Sequence, residues 1–365
     1  MKILIATNHS YMFFRFRKEL TEELMRKNEV ILSTPFVGHE DDLQAMGLRC
    51  INTEIDRRSI TPLKDMKLIE TYRKMLDDIR PDLVITYSIK PNIYMGSICE
   101  AKGIPYATNV QGLGTAFEKP VLSRVVSVMY TCALRKAKTV FFENEENARF
   151  FRWKNIVSDK QMRVLPGAGI NLDEYPYVPM HDDGICRFLF IGRIMKEKGV
   201  DEFFDAAKAI KAEMGEKAAI DVVGFYEDAY KETVDRLVDD GVINFHDFMT
   251  DVHPFYENAD CVVLPSYHEG MSNVLLEGAA TGRALITSNI PGCREAVEDG
   301  VSGYLCPIKD TNGLLDAMRR FAQLPHERRV EMGRCGRTLI ERKFDKKIVV
   351  ALTMDGLGLP VTARD

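Results

Sequence analysis

Short runs rich in isoleucine and valine alternate with amphipathic segments along this chain, and the alternation happens twice. KILIAT leads to FRKELTEELMRK and EVILST, then LIETYRKMLDDI and DLVITYS, then YATNV and TVFFE. Apolar runs of strand length separated by amphipathic stretches of helix length describe strand-helix-strand units, with a parallel sheet covered on both faces. From Pro166 to Gly184 the periodicity lapses into turn formers, among them Gly167, Gly169, Pro176 and Pro179. Beyond that stretch the pattern restarts with RFLFIG, VDEFFDAAKAIKAEM, AIDVVG, VINFHD, CVVLPS, SNVLLEGAATG, ALITS and GYLCP. The expected fold class is α/β with two Rossmann-like domains, residues 1–168 and 185–344, joined by a linker over 169–184. A crossover helix at about 345–355 is expected to pack back on the first domain, with Gly356 to Pro360 as a loose tail. Two doubly wound domains facing each other would place the carboxyl ends of both sheets around a central cleft. The junctions between a strand and the next helix are therefore where binding residues are sought.

Length and charge narrow the classes. At 365 residues the chain exceeds one comfortable core and suits two domains. Apolar residues make up 45% and charged residues 28%, as a hydrated globular enzyme requires. With 49 basic and 54 acidic residues intermixed, the net charge of −5 offers no general attraction to nucleic acid, so none is expected as a partner. Cys50, Cys99, Cys132, Cys186, Cys261, Cys293, Cys306 and Cys335 show no CxxC spacing and read as reduced thiols, with no metal site. MKILIAT turns polar at Asn8, unlike a secretory leader, and no window approaches the roughly 20 apolar residues of a membrane span. A cytoplasmic protein is expected, with attachment to the inner membrane face left open.

Two junctions of the second half carry chemistry. Arg193 leaves the strand end of Phe190-Ile191-Gly192-Arg193, and Lys198 stands just before the next helix. A guanidinium fork and an ammonium at one strand end suit a diphosphate that departs as a leaving group. A solvated charged loop is the plainer reading of the same residues. The second junction, Tyr267-His268-Glu269-Gly270-Met271-Ser272-Asn273-Val274, offers Ser272 as an N-cap and, behind it, a helix start whose N–H groups suit phosphate. Glu269 in the loop and Glu277 in the helix can each accept from neighbouring hydroxyls of a sugar or ribose. Against this stands a carboxylate favouring the helix dipole and another on a solvated face.

The chain resembles retaining glycosyltransferase family 4, of the two-domain architecture called GT-B. The resemblance rests on Gly192-Arg193 with Lys196-Glu197-Lys198-Gly199, on Glu269 and Glu277 spaced as Glu-x7-Glu, on Asn289-Ile290-Pro291-Gly292-Cys293-Arg294-Glu295, and on Gly300-Val301-Ser302-Gly303-Tyr304-Leu305. It spans nearly the whole chain. It implies that Arg193 and Lys198 bind the donor diphosphate, that Glu277 binds the ribose hydroxyls, and that Glu269 holds the transferred sugar without becoming a covalent nucleophile. It also implies donor contacts from the backbone of Gly270, Met271, Ser272, Asn273 and Val274, and a base near Phe248 and Met249. Asp247 stands where the family usually has glycine.

In the first half, Ser88-Ile89-Lys90-Pro91-Asn92-Ile93-Tyr94 and Asn109-Val110-Gln111-Gly112-Leu113-Gly114 resemble the bacterial branch that builds surface polysaccharides and lipid-linked oligosaccharides, including N-acetylgalactosaminyltransferases. The loop Asn8-His9-Ser10 replaces the usual glycine-rich turn, and Gln111 stands where many members carry histidine. The resemblance places Asn8, His9, Ser10, Lys90, Asn92 and Gln111 on the acceptor side of the cleft. The implied reaction is retaining transfer of a hexose or N-acetylhexosamine from a nucleotide-sugar, by family prevalence a UDP-sugar, to a glycan or polyprenyl-diphosphate-linked acceptor. No cofactor is implied, and without any Asp-x-Asp in the chain, protein cations rather than a divalent metal are expected to neutralise the diphosphate. Phe13 to Lys18, and Val121 to Lys138 with Arg124, Arg135, Lys136 and Lys138, read equally as peripheral membrane contacts or as core-facing helices. A nucleotide-sugar 2-epimerase and a non-catalytic sugar-nucleotide-binding subunit remain the alternatives.

Overall fold

The structure, a computed structural model, describes residues 1–56, 61–112 and 120–362, with the side chains of Pro120 and Val121 excepted. Two compact units form: Met1–Ala168 together with the chain from Lys347 onward, and Gly169–Lys346.

The first unit runs β1 (Lys2–Ala6), α1 (Ser10–Met25), β2 (Glu29–Thr34), α2 (Glu40–Ala45), β3 (Arg49–Asn52), α3 (Pro62–Ile79), β4 (Leu83–Tyr87), α4 (Ile89–Lys102), β5 (Tyr106–Val110), α5 (Pro120–Leu134), β6 (Thr139–Phe142), α6 (Glu145–Trp153) and β7 (Met162–Val164). Its strands are parallel in the order β3-β2-β1-β4-β5-β6-β7. The strand order reverses between β1 and β4, where Leu4 is in register with Ile31 on one side and Val84 on the other. Ile3, Leu4 and Ile5 are at most 1% exposed, because helices cover both faces and every position of a central strand is core.

The second unit repeats the plan with β8 (Cys186–Ile191), α7 (Val200–Met214), β9 (Ala218–Val223), α8 (Lys231–Asp239), β10 (Asn244–His246), α9 (His253–Asn258), β11 (Cys261–Leu264), α10 (Asn273–Ala280), β12 (Ala284–Ser288), β13 (Gly303–Cys306), α11 (Thr311–Ala322) and α12 (His326–Lys343). The order is β10-β9-β8-β11-β12-β13, reversing between β8 and β11. A last helix, α13 (Lys346–Leu357), returns the chain to the first unit.

Two expectations need correction. Residues 169–184 are packed onto the second unit rather than strung between domains. Ile170 and Tyr175 are buried in its core, Ile170 N–H donates to Phe344 O at 2.8 Å, and Val178 N–H donates to Thr281 O at 3.1 Å. The turn formers interrupt periodicity, but the apolar residues among them still find a core. The expected loose tail is likewise held. Leu357 is fully buried, Thr139 Oγ1 donates to Gly356 O and Lys138 Nζ to Leu357 O, both at 2.6 Å, and a Cβ on Gly356 would lie 2.5 Å from the Phe141 ring. Of the two readings left open for Phe13 to Lys18, Phe13 and Arg17 take the core-facing one, while the residues around them are half-buried. Phe13 packs edge-on to Tyr87 at 5.9 Å, and buried Arg17 pairs with Glu143 at 2.5 Å.

Candidate active site

In the second unit, the reversal of strand order gathers side chains from loops that sequence places far apart. After β8 the backbone enters a 3-10 turn, Lys196–Lys198, closed by Gly199 at φ +69°. A Cβ on Gly199 would stand 2.1 Å from Pro265 O, so only glycine lets this turn press against the end of β11. Tyr267 N–H donates to Glu197 O at 2.8 Å and locks the two loops together. Lys198 and Glu269 meet as a result, Nζ to Oε1 at 2.6 Å, with their side chains 18% and 13% exposed. Ser266 Oγ donates to the same Glu269 oxygen at 2.8 Å.

The Tyr267 hydroxyl lies 2.8 Å from both Glu202 oxygens, and Lys309 Nζ sits 5.0 Å from its ring centre. Burial first, and Glu202 second, push the Tyr267 hydroxyl well above its ordinary range, so it remains a neutral anchor for the loop that carries Glu269.

The other cation is held separately. Arg193 Nη1 pairs with Glu227 Oε2 at 2.6 Å and is about half exposed. The sequence reading set Arg193 and Lys198 together at one strand end, and here each rests on its own carboxylate. Glu227 escaped that reading because it follows β9 and meets Arg193 through the neighbouring ends of β8 and β9, where Gly192 N–H donates to Val223 O.

Helix α10 begins at Asn273, with Ser272 at its N-cap position in extended conformation. The Ser272 side chain makes no capping bond, so the expected side-chain cap does not form, and Ser272 is held instead through its N–H, which donates to Gly292 O at 2.8 Å. That loop needs its glycine: Gly292 has φ +82°, and a Cβ there would lie 2.4 Å from Gly270 O. The first α-helical bond runs from Leu276 N–H to Ser272 O, so the N–H groups of Asn273, Val274 and Leu275 have no carbonyl one turn behind them. Asn273 Oδ1 is buried and has no hydrogen-bond partner among the described residues. Met271 and Val274 turn their side chains to the core. Glu277 is buried and accepts from Tyr256 OH at 2.8 Å. At the ends of β9 and β10, Phe248 and Met249 are exposed, and Phe225 meets Phe248 edge-on at 6.0 Å. Phe225 belongs to none of the spaced motifs, so the sequence does not single it out.

In the first unit the six expected acceptor residues divide. Asn8 and Gln111 converge on Ser88, whose Oγ donates to Asn8 Oδ1 at 2.8 Å and lies 3.4 Å from Gln111 Oε1. His9 occupies the position before α1 without a capping bond. The other three turn inward: Ser10 Oγ donates to Gly38 O at 2.7 Å, Asn92 Nδ2 donates to Asn109 O at 2.8 Å, and Lys90 Nζ pairs with Asp65 at 2.7 Å. Asp65 also holds the Tyr94 hydroxyl, which burial and then that carboxylate push up to about 12. Lys90 thus joins α3 to α4. Leu113 and Gly114 lie outside the described residues. Beside these residues, a groove of about 460 Å³ between α3, α4 and α5 is lined by Ile69, Ile93, Tyr94, Ile98, Val128 and Met129.

Known proteins share this organisation. Residues 2–144 match the family described as glycosyl transferase 4-like, and residues 186–323 the family described as glycosyl transferases group 1. The N,N'-diacetylbacillosaminyl-diphospho-undecaprenol alpha-1,3-N-acetylgalactosaminyltransferase of Campylobacter jejuni is 26% identical over 335 residues, 86% of this chain and 87% of that one. The UDP-Gal:alpha-D-GlcNAc-diphosphoundecaprenol alpha-1,3-galactosyltransferase of Escherichia coli is 26% identical over 290 residues, 72% of each. Among solved structures, Anabaena HepE in complex with UDP and glucose superposes with a TM-score of 0.78, covering 98% of this chain and 99% of that one. At 15% identity this is a likeness of fold.

Proposed function

The chain belongs to the family 4 glycosyltransferases of GT-B fold, and from that membership we propose that it transfers a hexose or N-acetylhexosamine from a UDP-sugar to a hydroxyl of a polyprenyl-diphosphate-linked glycan, retaining the anomeric configuration and using no divalent metal. The observation that carries the reading is the Lys198–Glu269 pair beside the start of α10, with buried Glu277 one helical stretch behind it.

The bond between the anomeric carbon and the donor phosphate oxygen breaks, its electron pair leaving with the diphosphate. Lys198, Arg193 and the first-turn N–H groups of α10 stabilise that developing charge, and they do so more strongly in a water-poor site than in bulk. Lys198 exchanges Glu269 for phosphate, which frees the Glu269 carboxylate to accept from the sugar hydroxyls and orient the ring. The acceptor oxygen attacks the oxocarbenium-like carbon from the face the phosphate left, and its proton passes to a phosphate oxygen. Glu277 takes the ribose hydroxyls, and the exposed Phe225, Phe248 and Met249 offer an apolar surface to the base. The curated relatives named above both act, by name, on undecaprenyl-diphosphate-linked sugars, which supports a lipid-linked acceptor.

Release of UDP is measured with UDP-glucose, UDP-galactose and their N-acetyl forms, with and without a polyprenyl-diphosphate-linked sugar, in EDTA and in magnesium, and the product anomer is read by NMR. Acceptor-dependent release unaffected by EDTA, with an α-linked product, is expected. Conversion of the donor in the absence of acceptor would make the chain an epimerase, and tight donor binding without turnover would make it a binding subunit.

A further inference from the structure

Ser88, the residue between β4 and α4, has φ 72° and ψ 157°. Essentially only glycine adopts that region, since a Cβ is strained there. His39 and Arg80 also have positive φ, but with ψ of 16° and 62° they sit in the ordinary left-handed well. Nothing in the backbone at position 88 calls for a side chain, and a glycine would be the relaxed choice. What serine adds is a hydroxyl, and that hydroxyl touches Asn8 Oδ1 at 2.8 Å and Gln111 Oε1 at 3.4 Å. Asn8 follows β1, Ser88 follows β4 and Gln111 follows β5, so the three come from adjacent strands at the point where the strand order of the first sheet reverses. That is the end of a doubly wound sheet at which ligands are bound.

We propose that Ser88 is a positioning residue for acceptor binding, held in strain so that its hydroxyl donates to the carboxamide of Asn8 and fixes it, with that of Gln111 alongside. With Asn8 Oδ1 accepting the one Oγ proton, the Asn8 amide nitrogen faces away from Ser88, and among the described residues it donates nowhere else. A fixed N–H donor selects an oxygen-bearing ligand, and with Asn8 on the acceptor side, as the resemblance places it, that ligand is the hydroxyl- and phosphate-bearing head of the acceptor. The proposal rests on the transferase reading above. Strain retained where a relaxed residue would fit marks a position kept for its chemistry.

Two substitutions separate backbone from hydroxyl. Ser88→Gly removes both strain and hydroxyl, and Ser88→Ala removes the hydroxyl while keeping the Cβ. Both are expected to raise KM for the acceptor about tenfold, the size of one lost hydrogen bond, and to leave KM for the donor within about twofold. Ser88→Gly is expected to melt no lower than wild type, so activity and stability move apart. Combining Ser88→Ala with Asn8→Ala should then add less than the product of the two single effects, because the hydroxyl acts through Asn8. Unchanged acceptor KM in Ser88→Gly, equal losses for donor and acceptor, or fully multiplicative effects in the double variant would each overturn the assignment. Wild-type protein that releases no UDP with any lipid-linked acceptor would instead remove the transferase reading, and this assignment with it.

Discussion

Lys198 and Glu269 approach from loops after different strands and hold each other at 2.6 Å, so each is kept in place by the other until a donor separates them. Replacing Lys198 with alanine removes the cation nearest the leaving diphosphate and leaves Glu269, among the described residues, with Ser266 Oγ as its donor. Loss of one such group costs about 10²–10³-fold in kcat, and that is the drop expected for Lys198→Ala. Lys198→Arg should recover part of it, since charge is restored on a longer, planar head. Steady-state UDP release measures both, and a kcat for Lys198→Ala within about threefold of wild type would detach this pair from the chemistry. Much at this scale was legible, because Arg193, Lys198, Glu269, Glu277 and Gly292 occur in spaced motifs. Ser88 was not picked out, since no sequence feature reports a φ of 72° at a serine. Glu227 was missed for another reason: a carboxylate 34 residues from Arg193 becomes its partner only through strand adjacency.

At the scale of elements, α5 divides its residues by face. Val126, Tyr130, Ala133 and Leu134 are buried in the first unit, where α5 packs on α4, while Val125 and Val128 stand 51% and 60% exposed beside exposed Arg124, with Val128 also bordering the apolar groove. Arg135 and Lys136 continue the cationic side, although both lean on Glu100. Sequence periodicity could not separate a membrane-facing helix from a core-facing one, because α5 is apolar on more than one face and the pattern alone does not say which face the sheet takes. The same limit hid the packing of residues 169–184 and of Gly356, whose contacts with Thr139 and Phe141 are set by tertiary structure rather than local pattern. If α5 touches an anionic lipid surface, the protein should sediment with vesicles containing phosphatidylglycerol, less so as salt screens the charges. Val125→Glu and Val128→Glu, both at exposed positions, should abolish that sedimentation without lowering Tm. Vesicle binding that neither substitution weakens would move the contact to another part of the first unit, and no binding at all would favour an acceptor that reaches the site from solution.

Across the whole molecule, alternating apolar runs were enough to announce two parallel sheets, and those sheets bury cysteines in both units. Burial pushes the thiols of Cys99 in the first unit and Cys186 and Cys306 in the second up to about 12 from an ordinary value of 9.0. In the unfolded chain these thiols lose their protons near pH 9, while in the folded chain they keep them. The folded state therefore binds more protons over this interval, and stability falls as pH rises from about 9 towards 12. Below pH 9 both states are protonated and the contribution is fully present. Since the thiols occur in both units, each unfolding transition should shift, whether or not the two units melt together. Calorimetric scans at steps from pH 8 to 10.5 would show this. Tyrosines and lysines also titrate in this range, so the deciding comparison is with the triple variant Cys99→Ala, Cys186→Ala, Cys306→Ala. It starts less stable, because buried sulfur is lost, but its Tm should decline less steeply above pH 9, so that the gap to wild type narrows. Parallel curves would mean that the thiols ionise as readily inside the fold as outside it, and that the sheets are more open to water around these cysteines than their burial implies.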